Sequence, residues 1–185
     1  GQLMHREPSG RFAGYDWPQF SIHRGDLQLV LLEAFQQRVG ADRLFLAHKC
    51  TGVTQDGQGA SAQFVHATTG EALPPARGDI VIACDGLHSV IRKQFHPNEG
   101  EPVYSGVNMW RGVTRWQPFL GGASMTRVGW LNPCKLVIYP IRNNIDEQGR
   151  QLINWVVEIE TPKHRDKRDW NRPGNIEDFM PVVAD

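Results

Sequence analysis

Apolar residues recur along the first half of the chain in two rhythms. In RGDLQLVLLEAFQQRVG, Leu27, Val30, Leu31, Ala34, Phe35 and Val39 fall at helical spacing, and Gly40 comes next as a stop. That spacing predicts an amphipathic helix over 26–39. Before it, PQFSIHR at 18–24 reads as a short strand-like segment entered through a proline. After it, 44–55 and 60–68 are strand-like and flank QDGQG, whose Asp-Gly centre predicts a hairpin. EALPPARG reads as a loop leading into IVIAC at 80–84, and such a continuous β-branched run fits a strand buried on both faces of a parallel sheet. HSVIRKQF opens a helix that HPNEGEP ends.

Beyond residue 100 the texture changes. GVNMWRGVTRW, SMTRVGWL, CKLVIYPI and QLINWVVEIE are strand candidates separated by Gly, Pro and Asn turns, the pattern of an antiparallel sheet. The charged tail ends in a possible short helix near Ile176. The fold class expected is therefore α/β (α+β), with an α/β part over 1–99 and a mostly antiparallel β part over 100–185.

Composition narrows the function classes. Of 185 residues 40% are hydrophobic, and twenty basic residues balance twenty acidic ones, so no charge excess points to nucleic acid or an anionic membrane. No apolar stretch approaches the roughly 20 residues that span a bilayer. The start lacks the layout of a signal peptide, and Met4 stands behind Gly1-Gln2-Leu3, so the sequence reads as a fragment. Cys50, Cys84 and Cys134 are odd in number and widely spaced, which fits reduced cysteines of a cytoplasmic protein rather than a disulfide framework or zinc site. The seven histidines show no paired-ligand spacing, and no metal is expected.

Two glycine motifs compete for attention. GQGASA at 57–62 matches the relaxed pattern of a dinucleotide loop, but a strand comes after it where the mechanism requires a helix, so a hairpin turn is the better reading. The corner Cys84-Asp85-Gly86 is more specific. Ser89 stands ready to cap a helix and Arg92 lies one turn along, at what would be the carboxyl end of a parallel strand, where open α/β sheets bind ligands. Gly86 allows close backbone approach, and a helix start offers N–H donors to an anion. A capped turn that binds nothing is the competing reading.

The corner ACDGLHSVIR resembles the Asp-Gly fingerprint of single-component flavoprotein aromatic hydroxylases, and IHRGDLQLVLLEA resembles their arginine-plus-helix segment. PQFSIHRG, HPNEG, MWRGVT, YPI, NWV and DWNRPG are similar, in that order, to the phenazine-modifying branch of the 5-methylphenazine-1-carboxylate monooxygenase type. The family's opening strand–GxGxxG–helix and its later Gly-Asp motif are not in this sequence, which reads as the central portion of such an enzyme. The resemblance implies a fragment of an FAD-binding Rossmann-like domain followed by a β-sheet substrate domain. It implies a FAD-dependent monooxygenase that uses NADH or NADPH and oxygen to hydroxylate a small aromatic substrate, this chain alone being inactive. A non-catalytic remnant that no longer holds FAD is the alternative.

The resemblance also assigns roles. Arg24 would hydrogen-bond the flavin cofactor, or else form a surface ion pair. Asp85 would bind hydroxyls or water beside the pyrophosphate with Arg92 as the intervening cation, and Gly86 would give clearance. His88 and Ser89 are cap and packing candidates as much as ligands, and Cys50 would contribute its backbone. No catalytic side chain is expected, because the chemistry belongs to the cofactor. In the second half, Arg111 and Arg115 share a strand face with Met109 while Trp110 and Trp116 point the other way. One face offering aromatic area with a basic group at its edge would suit a flat aromatic acid, with Arg111 and Tyr139 as candidate substrate contacts. The tryptophans could equally form the core between sheet and helices.

Overall fold

The computed structural model describes residues 2–129, 132–162 and 172–183. The chain divides into two units, Gly1–Leu31 with Tyr104–Asp185, and Leu32–Val103.

Helix α1 (Arg24–Arg38) forms where the apolar spacing places it, with Asp26 in the first turn and Arg38 in the last, both favourable to the helix dipole. None of its residues is buried. The predicted strand at 18–24 does not form. It finds no strand to pair with among the described residues, and helical bonding already begins where the Leu27 N–H donates to the His23 carbonyl at 3.1 Å.

In the second unit, β1 (His48–Asp56), β2 (Gly59–His66) and β3 (Ala72–Gly78) make an antiparallel sheet in the order β1-β2-β3. The Asp-Gly hairpin closes as expected, Asp56 accepting from the Gln58 N–H at 2.8 Å. Strand β3 replaces the loop read from EALPPARG. Its two prolines lack N–H donors, yet β3 is an edge strand and Pro74–Pro75 sit where the register slips between Ala62 and Phe64, so the sheet loses little.

The buried parallel strand expected at 80–84 is also not formed. Those residues belong to no strand, and Ile80 and Ile82 are three-quarters exposed at 75% and 77%. A strand needs a neighbour to satisfy its N–H and C=O groups, and none among the described residues offers one. The helix after it does form, as α2 (Val90–Phe95).

In the first unit, β4 (Val107–Trp116), β5 (Thr126–Val128), β6 (Cys134–Arg142) and β7 (Gln151–Glu160) build an antiparallel sheet in the order β4-β7-β6-β5. Four strands were expected there; part of SMTRVGWL, with Trp130 and Leu131, lies outside the described residues, as does most of the charged tail. Alternation gives the sheet two unlike faces. On one, Ile153, Val157 and Ile159 of β7 are buried with Cys134, and Trp110, Leu136 and Trp155 pack beside them. Phe179 closes this core, between a 3₁₀ turn at Ile176–Asp178 and α3 (Met180–Val183). Gly112 lies directly opposite Trp155, whose indole occupies the space a Cβ would need. Among the described residues, no helix is long and apolar enough to cross a membrane.

Candidate functional site

The Asp-Gly corner is held by its own hydrogen bonds. Gly86 turns the chain at φ +78°, a left-handed conformation that other residues rarely adopt. The reversal brings Asp85 back over the start of α2. Its Oδ1 accepts from the Ser89 hydroxyl at 2.6 Å, and its Oδ2 accepts from the Val90 and Ile91 N–H groups at 2.8 and 3.3 Å. Ser89, only 7% exposed, accepts from the Arg92 N–H at 2.9 Å. The donated Ser89 hydrogen bond, with the Ile91 and Val90 N–H groups behind it, holds the Asp85 carboxyl below the usual carboxylate range against partial desolvation.

Arg92 ties the corner to the turn beyond α2. Its Nε donates to Glu99 at 2.8 Å, and its two terminal nitrogens donate to the Gly86 and Leu87 carbonyls at 3.2 and 2.5 Å. The Glu99 carboxylate raises the Arg92 pKa, and Arg92 in turn lowers that of Glu99. The first-turn N–H groups expected to meet an anion are therefore already bonded to Asp85 and Ser89. What stays open is a cleft of about 350 Å³ lined by Asp85, Gly86, Ser89, Arg92, Phe95 and His96 among others, and a Cβ added to Gly86 would meet nothing within 4 Å.

The structure thus gathers Asp85, Gly86, Ser89 and Arg92. His88 is exposed in the turn beside them and does not line the cleft. Cys50 sits half-buried in β1, its thiol 3.5 Å from the Gly52 carbonyl, away from that lining. Cys84, read as the end of a buried strand, is exposed. Sequence reading missed Gln94, whose Oε1 accepts from the Val53 N–H at 3.0 Å and whose Nε2 donates to the Val53 carbonyl at 2.6 Å. These bonds satisfy the outer edge of β1 and fix α2 against it.

The second set of residues lies in the other unit. Arg24 opens α1 and is exposed. Two residues on, Asp26 receives both Nε and a terminal nitrogen of Arg142 on β6, at 3.2 and 2.5 Å. That bidentate pair joins the first turn of α1 to the sheet and holds the Asp26 carboxyl below its usual range. No local signal could have shown it, since 116 residues separate the partners.

Arg111 and Tyr139 lie on the sheet face opposite the aromatic core. Arg111 pairs with Val156 and Tyr139 with Asn154, the alternate β7 positions from Trp155 and Val157. Met109 and Val113 on this face are about half exposed. Trp110 and Trp155 pack on Phe179 at a tilt, their ring centroids 6.1 and 5.9 Å from its own, so these two take the core role and do not share a face with Arg111, while Trp116 is 63% exposed.

Comparison with known proteins shows the family. Residues 21–168 match the family described as FAD binding domain. A phenazine 1,6-dicarboxylic acid hydroxylase of Lysobacter antibioticus is 32% identical over all of this chain and 46% of its own length. An aurachin C monooxygenase/isomerase of Stigmatella aurantiaca is 40% identical over 52% of the chain and 22% of its own length. A 3-hydroxybenzoate 6-hydroxylase of Polaromonas naphthalenivorans is 28% identical over 77% of the chain and 34% of its own length. The chain spans less than half the length of each of these relatives. With four-fifths of its residues inside the family match, the chain belongs to the FAD-binding domain family.

Proposed function

We propose that the chain is the central portion of a flavin-dependent monooxygenase that hydroxylates a planar aromatic acid with NADH or NADPH as reductant. Residues 1–99 would belong to its FAD-binding domain and 100–185 to its substrate domain. The observation that carries the reading is the open sheet face, where Arg111 stands over a valine floor, in a chain of the FAD-binding domain family. The names of its relatives, two of which are hydroxylases of aromatic acids, support it.

The corner fits the hydroxyl-bearing part of FAD better than its phosphates. Three of the roughly four acceptor positions of the Asp85 carboxylate are filled, leaving one on Oδ1 for a ligand hydroxyl. Gly86 leaves open space beside it. Arg24 would donate from the start of α1, braced by the Asp26–Arg142 pair two residues on. When bound, FAD supplies transfer of electrons from the nicotinamide to oxygen and insertion of one oxygen atom into the ring. This chain's residues bind and orient: Arg111 holds the carboxylate, Tyr139 and Asn154 offer hydrogen bonds, and the valines exclude water from the ring faces.

One observation favours a second reading, a chain that keeps the open face and no longer holds FAD: no first-turn N–H of α2 is left for a phosphate. The readings separate on the full-length protein. Under the first it carries flavin and consumes NAD(P)H with hydroxylated product from phenazine carboxylates or salicylates. A flavin-free protein supports the second, and a preference for neutral phenols overturns the acid specificity. In the flavin-loaded protein, Arg24→Ala should weaken FAD by about 1.5–3 kcal/mol, the worth of a hydrogen bond from a charged group; equilibrium dialysis showing unaltered affinity would leave Arg24 as a surface residue.

A further inference from the structure

The register of the open face places residues in rows across the strands. Arg111 on β4 is paired with Val156 on β7, Val156 with Val137 on β6, and Val137 with Arg127 on β5. Directly paired residues share a face, so this row reads arginine, valine, valine, arginine. Three strand spacings separate its ends, about 14 Å between the outer Cα atoms. Neither guanidinium donates to a protein acceptor, by hydrogen bond or ion pair, among the described residues.

The rows on either side sharpen the pattern. Toward one end of the strands, Val113, Asn154 and Tyr139 extend the floor and add neutral hydrogen-bonding groups. Toward the other, Glu158 is paired with Lys135, so its charge is matched within its own row. The arginine row keeps two positive charges at opposite ends of an apolar strip. A single carboxylate would engage one end of that strip and leave the other charge unused.

We infer that Arg127 is a specificity-determining residue, the second anion anchor of a site that takes a planar aromatic diacid lengthwise across the strands. The inference rests on the substrate reading proposed above and adds to it the direction in which the ring system lies and the reason for two charges. A fused ring system covers Val137 and Val156, its carboxylates reach outward to Arg111 and Arg127, and each guanidinium is a bidentate partner for a carboxylate. Both anchors sit on edge strands, Arg111 on β4 and Arg127 on the three-residue β5.

The test is calorimetric titration of this chain with naphthalene-2,6-dicarboxylate, 2-naphthoate and the neutral 2,6-dimethanol. The diacid should bind more tightly than the monoacid by about tenfold, the worth of one further charge-assisted contact. Arg127→Gln should remove that preference while leaving monoacid affinity unchanged. Arg115→Gln, two rows away on the same face, should leave the preference intact, with circular dichroism confirming that each variant folds. Equal affinity for both acids, equal losses of both in Arg127→Gln, or loss of the preference in Arg115→Gln overturns the inference while the acid-binding reading stands. Failure of either acid to bind, or binding no tighter than the dimethanol, overturns the reading itself.

Discussion

Replacing Gln94 with alanine tests how the corner is held. Val53 lies on the outer edge of β1, where no strand among the described residues completes its ladder, and it is buried at 6% exposure. Its N–H and C=O are both satisfied by the Gln94 amide, which stands in for the missing strand. Gly52 makes room, since a Cβ there would lie 3.2 Å from the Gln94 Oε1. Truncation leaves a donor and an acceptor to whatever water can reach them. Two hydrogen bonds at a net 0.5–1.5 kcal/mol each amount to about 2 kcal/mol of local stability. At 1.4 kcal/mol per decade, that corresponds to about a 30-fold loss of protection at the Val53 amide. Native-state hydrogen exchange measures it directly, with the Val157 amide in the other unit as the reference. Unchanged Val53 protection would show that the edge needs no side-chain partner. An equal loss at Val157 would show a global effect and equally refute a local clamp.

The same geometry sets three further outcomes. Ser89→Ala removes the α2 cap and the hydroxyl donated to Asp85, and should lower the stability of the second unit by about 1 kcal/mol in urea unfolding; no change would mean that Asp85 caps the helix alone. The Asp26 carboxyl is held low by Arg142, so the stability it confers is present above the ordinary carboxylate pKa and lost as pH falls through the depressed folded value. Carbon-detected NMR titration should show that value return to the ordinary one in Arg142→Gln, and an unshifted titration in that variant would deny the pairing. Gly112→Ala puts a methyl into the Trp155 ring and strains its bond to the Thr114 hydroxyl, at a cost of about 1–3 kcal/mol. Thermal melting of the variant at the parent temperature would show that the indole can move aside.

The sequence was most legible where local pattern and local chemistry coincide. Helical spacing located α1, the Ser89 cap and the HPNEGEP stop located α2, the Asp-Gly pair located the β1–β2 hairpin, and the runs after residue 100 located β4, β6 and β7. It failed where the outcome depends on a neighbour. IVIAC is written as a buried strand, but burial and pairing are properties of a partner, and the described residues supply none. EALPPARG is written as a loop, yet β2 offers an edge on which two prolines are harmless. The α1 stripe has the right period and remains uncovered for the same reason as IVIAC. In the candidate site, Asp85, Gly86, Ser89 and Arg92 were legible because they lie within eight positions. Gln94 to Val53 and Arg142 to Asp26 were not, because those contacts span 41 and 116 residues.

The two faces of the four-stranded sheet show why residue type alone does not say which face a residue occupies. Six tryptophans invite the assumption that aromatic area serves a ligand. A flat ring buries well against Phe179 and Val157, and the pleat then sends every alternate residue away from that core. The positions left over on β4 are Val107, Met109, Arg111, Val113 and Arg115, and the register sets Arg111 opposite Val156 and Arg115 opposite Leu152. Packing Trp110 and Trp155 against the core on one side therefore fixes the arginines on the other, with aliphatic residues directly opposite them. A floor of valines grips a ring by contact area and water exclusion, without stacking geometry to satisfy. In the site proposed above, orientation on such a floor would come from its charged ends, so the proposal turns on the placement of the arginines rather than on the number of aromatics.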